Sequence, residues 1–115
     1  MKARAKRVEA ALAFKERVHG WAVRVRVKPK QVRLQDMKRK WASCSTEGRV
    51  TFSLDLLEEA SSFQDYVIVH ELLHLRYSTH GRVFRAVLGA HVPGWKKIEA
   101  SRIFKGRKKG LHSLQ

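Results

Sequence analysis

Between Tyr66 and Gly81 the chain reads YVIVHELLHLRYSTHG, and no other stretch restricts the fold as tightly. Up to Leu75 it is mostly valine, isoleucine and leucine, which places it in a core, yet it carries three histidines and a glutamate. Such groups lose hydration on burial and need a partner there. His70, Glu71 and His74 are spaced H-E-x-x-H. On a helix, positions i and i+4 share a face one turn apart, so both imidazoles can reach one metal ion with Glu71 beside them. A single zinc ion is the expected partner. Bound by three protein ligands with one position open, it acidifies a water whose proton a nearby carboxylate can take. Glu71 is spaced to be that general base in the hydrolysis of a peptide bond.

A third ligand is then required. His80 follows His74 after five residues, in a segment, STHG, that leaves the helix and can fold back. A glutamate on a later helix is the other common third ligand, and Glu99 is the carboxylate available downstream. Metzincins keep the same gap before their third histidine, but they place glycine where Tyr77 stands and need a methionine further on. Met1 and Met37 both lie upstream, which excludes that scheme. Tyr66, one turn before His70, and Tyr77, three residues after His74, each carry a hydroxyl able to steady an oxyanion.

The flanking pattern predicts an α+β fold. Val8, Leu12 and Val18 recur at helical spacing from Ala3 to His19, and Gly20 is expected to end that helix. WAVRVRVK alternates apolar and basic residues, which predicts a strand from Trp21, and QVRL predicts another. KWASCS and RVTFSLD, joined by Thr46, Glu47 and Gly48, read as a hairpin. Ser62 and Asp65 have capping-box spacing ahead of a central helix carrying FQDYVIVHELLHLRY. Further helices are expected over Arg82 to Leu88 and from Trp95 to about Phe104. The expected order is an N-terminal helix, a small antiparallel sheet, the central helix and C-terminal helices. Together they form a single metallopeptidase-like domain over 1–115, with 105–115 a flexible basic tail.

Composition narrows the setting. No apolar run in the 115 residues approaches the roughly 18 needed to span a bilayer, and the charged first residues do not build a secretory signal. Cys44 is the one cysteine and cannot close an internal disulfide. These features predict a cytoplasmic protein with no membrane partner. The net charge is +15 and lies at the ends: residues 1–41 hold 14 Lys or Arg against 3 acids, and residues 96–115 hold 7 against 1. Such ends could contact nucleic acid. The rival to a peptidase is therefore a basic nucleic-acid-binding module with a structural zinc, its closed shell made by Cys44 and three histidines. Oligomeric state is not set by the sequence.

KRKWASCSTEGRVTFSLDLL, YVIVHELLHLRYSTHGRVF and VPGWK, in that order, resemble the YgjP-like metallopeptidase family, small zinc peptidases of the gluzincin type related to the SprT and WLM groups. The resemblance runs from about Lys38 to Lys97. It implies zinc ligands at His70, His74 and His80, with Glu71 as general base. The Trp41 to Cys44 segment resembles the family's RWGSC element at the upper edge of the cleft. A peptide substrate is expected to pair there with the strand Arg49, Val50, Thr51, Phe52, Ser53 and Leu54. Ala42, Ser53, Gly81 and Arg85 depart from the residues usual in the family, and none is an expected ligand. Small members of the family can be weak or latent, and the basic tail is a candidate to lie across the cleft and inhibit. Related SprT-type proteases act on DNA-linked proteins, a role that basic ends could serve.

Overall fold

The structure, a computed structural model, describes residues 2–104. It opens with helix α1, Lys2–Val25. Phe14, Val18, Ala22 and Val25 recur at intervals of four, four and three, and all four are buried. This stripe carries the helix through Gly20 and through most of the segment expected to be a strand. Val23 shows why the alternation misleads: it is 77% exposed, while Ala22 and Val25 face the core. The helix ends instead at Arg26, whose φ is 61°. Arg26 N–H donates to Val23 O at 3.3 Å and Val27 N–H to Ala22 O at 3.0 Å, the paired bonds of a Schellman cap.

Strands β1 (Gln31–Gln35), β2 (Ala42–Cys44) and β3 (Arg49–Ser53) form one sheet in the order β1-β3-β2. The expected hairpin is present, since β2 and β3 pair antiparallel, but β1 pairs parallel with β3, so the sheet is mixed. The α+β class stands. Gly48 closes the hairpin with φ 94°, a value that favours glycine, and Gly48 N–H donates to Ser45 O at 3.1 Å. Val50, Phe52 and Ala42 are fully buried, and Phe14 meets Phe52 edge-on at 5.3 Å. Full burial of a valine or phenylalanine side chain contributes about 1.5–3 kcal/mol.

A 3-10 helix, Leu54–Glu58, leads into α2, Ser61–Leu73. Phe63, Gln64 and every residue from Tyr66 to Leu73 are buried, so α2 is surrounded on all sides by α1, the sheet and later helices. The Ser62–Asp65 capping box does not form; Ala60 takes the cap position without a side-chain bond. Asp65 is used elsewhere, accepting from Trp21 Nε1 at 2.9 Å and pairing with Arg17, which ties α1 to α2. Gln64 Nε2 donates to Leu56 O at 2.7 Å and fixes the helix entry.

The last turn of α2 tightens, with Leu75 N–H bonded to Leu72 O at 3.0 Å and Arg76 N–H to Leu73 O at 3.0 Å. Regular helix therefore stops at Leu73 rather than Tyr77, but His74 keeps helical dihedrals (φ −68°, ψ −12°), and the i, i+4 relation to His70 survives. Helices α3, Arg82–His91, and α4, Trp95–Phe104, follow, α3 running three residues longer than expected. Among the described residues no helix is long and apolar enough to cross a membrane. The expected tail, 105–115, lies outside the described residues.

Candidate metal centre

Three elements bring three imidazoles together. His70 stands on the buried length of α2, His74 caps its C-terminus, and His80 sits in the loop that doubles back before α3. One ring nitrogen from each lies within 4.8 Å of the other two. The ring centroids are 5.1 Å apart for His70 and His74, 4.7 Å for His70 and His80, and 4.8 Å for His74 and His80. Nitrogens bound to one tetrahedral zinc are separated by about 3.3 Å. The cluster has the size and donor type to hold such an ion.

The tautomer of His74 supports the same fit. Its Nδ1 lies 3.0 Å from Tyr77 O, and a carbonyl only accepts, so Nδ1 carries the proton and Nε2 presents a lone pair. That Nε2 faces His80 Nε2 at 2.8 Å. Partial burial lowers the His80 pKa, against the opposing charge of Glu99, and so favours the neutral imidazole that binds metal.

The floor beneath the rings is Phe84, on the first turn of α3. It contacts His70, His74 and His80 at 5.3, 5.0 and 4.8 Å between centroids and is 2% exposed. Sequence reasoning missed it. The available signal was its place in the first turn of the helix expected from Arg82, just after the loop that carries His80.

Glu71 exposes none of its surface. One carboxylate oxygen is 3.9 Å from His70 Nδ1, adjacent but beyond hydrogen-bond range. Burial pushes its pKa well above the usual carboxylate value, with the Lys40 charge acting in the opposite sense. Cys44, half-buried on β2, is pushed up to about 11 by burial and by the neighbouring Glu71 charge. It is not a member of the histidine cluster, so the closed shell of Cys44 and three histidines expected of a structural site is not assembled. Glu99 is likewise outside the cluster. Its Oε2 accepts from the Tyr66 hydroxyl at 2.6 Å, and burial together with Glu99 holds that hydroxyl protonated. Tyr77 is half-buried, with Arg76 above its ring at 5.5 Å.

The expected substrate strand needs correction. Arg49 to Ser53 is the middle of the sheet, paired with β1 on one side and β2 on the other, so a peptide cannot add to it. Val50, Thr51, Phe52 and Ser53 are also buried. Ser53 Oγ instead donates to Met37 O at 2.9 Å and accepts from Asp55 N–H at 3.2 Å, and Leu54 begins the 3-10 helix. The edge strands are β1 and β2, and β2 is the one whose Cys44 neighbours Glu71. Trp41 O and Ser45 N–H bond to β3, so by alternation the main-chain groups of Ala42 and Cys44 point the other way. Trp41 and Phe52 are core residues. His19 is exposed, and His91 is half-buried and meets Trp21 edge-on at 6.1 Å.

Comparison with known proteins agrees with this geometry. No curated protein matches the chain. Two solved structures share its fold: the metallopeptidase zymogen of Pyrococcus abyssi abylysin, and that of Methanocaldococcus jannaschii jannalysin. The first has a TM-score of 0.72 and 22% identity, covering 84% of this chain and 98% of that one. The second has a TM-score of 0.71 and 23% identity, covering 80% and 95%. The model of the YgjP-like metallopeptidase domain matches residues 2–101, nearly the whole described chain, and the protein therefore belongs to the YgjP-like metallopeptidase family.

Proposed function

We propose that this metallopeptidase is a zinc-dependent endopeptidase in which His70, His74 and His80 hold one ion and Glu71 is the general base. The observation that carries this is the convergence of three imidazole nitrogens within 4.8 Å beside an enclosed glutamate. A zinc ion at this position would polarise the scissile carbonyl and acidify the attacking water. The Tyr77 carbonyl fixes the His74 tautomer, and Phe84 holds the three rings in register. Glu71 takes the proton of the water and delivers it to the leaving amine. The raised pKa of its carboxyl suits both halves of that transfer.

An extended substrate lies along the outer edge of β2, where Cys44 neighbours Glu71. The Tyr66 hydroxyl, one turn from His70, exchanges Glu99 for the developing oxyanion, and Tyr77 is the second hydroxyl near the loop. The whole chain acts as one domain. The solved neighbours are zymogens, and the enclosure of Glu71 fits a latent form of this protein as well. The test is digestion of a peptide library by zinc-loaded protein, with and without chelator. Chelation and Glu71→Gln are each expected to abolish cleavage, while Glu71→Gln still binds zinc. Cleavage that persists in both would remove the assignment.

A further inference from the structure

We propose that the cleft between the end of α1, the β2–β3 turn and the segment after α2 is a subsite for an acidic stretch of the polypeptide substrate. This rests on the peptidase reading of the adjoining histidine cluster. The cleft has a volume of about 440 Å³, within the range of sites that enclose a few residues of a ligand. Arg26, Lys28, Lys30 and Arg76 line it against the single acid Glu47, and His74 forms part of its wall. An occupant therefore lies against His74, the member of the histidine cluster at the end of α2. None of the four cations makes an ion pair among the described residues. Four like charges around one concavity create a positive potential that an acidic occupant relieves.

Two backbone features hold these charges in place. Lys30 N–H donates to Gly48 O at 2.8 Å, and a Cβ on Gly48 would meet Lys30 Cγ at 3.2 Å, so the turn glycine leaves room for the lysine to lie against it. Arg26 occupies a left-handed position, φ 61°, where glycine is the residue of lowest strain. Retaining an arginine there places a charge at the cleft at the expense of the helix cap, and strain of this kind concentrates at binding sites. A peptide fits better than nucleic acid because the cleft is short and one wall belongs to the histidine cluster. Duplex recognition uses surfaces on the order of 1,000 Å² or more.

The test measures fluorescence anisotropy of a labelled glutamate-rich peptide and of its glutamine twin on zinc-loaded Glu71→Gln protein. The acidic peptide is expected to bind on the order of tenfold more tightly, and added salt should erase the difference. Lys30→Gln with Arg76→Gln should remove most of that preference without lowering zinc content, whereas Arg76→Lys should keep it. Arg26→Gly should weaken the acidic peptide yet raise the melting temperature, a pairing that a purely structural arginine would not produce. Equal binding of the twins overturns the proposal, as does an oligonucleotide of equal charge that binds more tightly than the acidic peptide and loses affinity in the same variants. Acidic binding without cleavage of any peptide by wild-type protein would uphold the subsite and remove the peptidase reading. Cleavage without preference for acidic residues would do the reverse.

Discussion

The Nε2 atoms of His74 and His80 stand 2.8 Å apart, although the Tyr77 carbonyl already takes the Nδ1 proton of His74. Two ring nitrogens this close share either a proton or a cation, and Phe84 packed against both rings keeps them from swinging apart. His80 is thus held by its neighbours as a member of the cluster even though it lies on an exposed loop.

His80→Ala should therefore weaken zinc by at least about tenfold, which reduces the zinc-dependent stabilisation by about 1.4 kcal/mol at a fixed excess of metal. Competition against a chromogenic chelator and melting with added zinc both read this. Unchanged affinity would move the third ligand elsewhere.

Glu71 yields a pH prediction for the metal-free protein. Its folded pKa is raised by burial, so the folded state resists losing that proton. Relative to a neutral side chain, its stability contribution is fully present below the unfolded value, 4.5. It is lost as pH rises through the higher folded value. Metal-free Glu71→Gln should consequently melt above wild type at pH 7 and match it near pH 4. A wild-type advantage at pH 7 would mean that the carboxylate is better satisfied when charged.

Cys44 reports on the same carboxylate. With its pKa pushed up to about 11 from 9.0 by burial and by Glu71, the thiolate fraction at pH 7.5 falls by about a hundredfold against an ordinary thiol. Alkylation by iodoacetamide should be slow at that pH and still rising at pH 10. Glu71→Gln should speed it by removing the like charge, and a rate plateau near pH 9 would contradict the enclosed setting.

The Tyr66 hydroxyl distinguishes catalysis from packing. As an oxyanion donor, its loss in Tyr66→Phe should cut kcat by about a hundredfold with KM nearly unchanged. If it serves only to tie α2 to Glu99 on α4, kcat holds and stability falls by about 1 kcal/mol. Steady-state kinetics and a urea melt decide between them.

The histidine cluster was legible because its determinants are local. His70, Glu71 and His74 lie on one helix, where spacing alone fixes their mutual placement, and a glycine-ended loop returns His80. What the sequence concealed is tertiary. Nothing in RVTFSL says that β3 will have both edges covered, since strand order depends on where β1 lands. Phe84 looks like any apolar helix residue until three imidazoles rest on it. Asp65 matches a capping box, but Arg17 and Trp21 compete for its carboxylate across 48 and 44 residues of chain and win. WAVRVRVK satisfies the strand period over eight residues, but the helical stripe begun at Phe14 continues through Ala22 to Val25 and buries both against the core.

That last case gives a stability test remote from the metal. Gly20 lies inside α1 rather than at its end, is exposed, and has no atom within 4 Å of the position a Cβ would take. Glycine inside a helix costs about 0.5–1 kcal/mol relative to alanine, through the extra backbone freedom it surrenders on folding. Gly20→Ala should therefore stabilise the protein by about that amount and raise its melting temperature by a few degrees, with zinc affinity untouched. Were Gly20 the terminator that the sequence suggests, with a left-handed backbone, the added methyl would strain the turn and the change would destabilise instead. The sign of the shift in a urea or thermal melt thus separates a helix that stops at residue 19 from one that runs to Val25 and delivers Arg26 to the cleft.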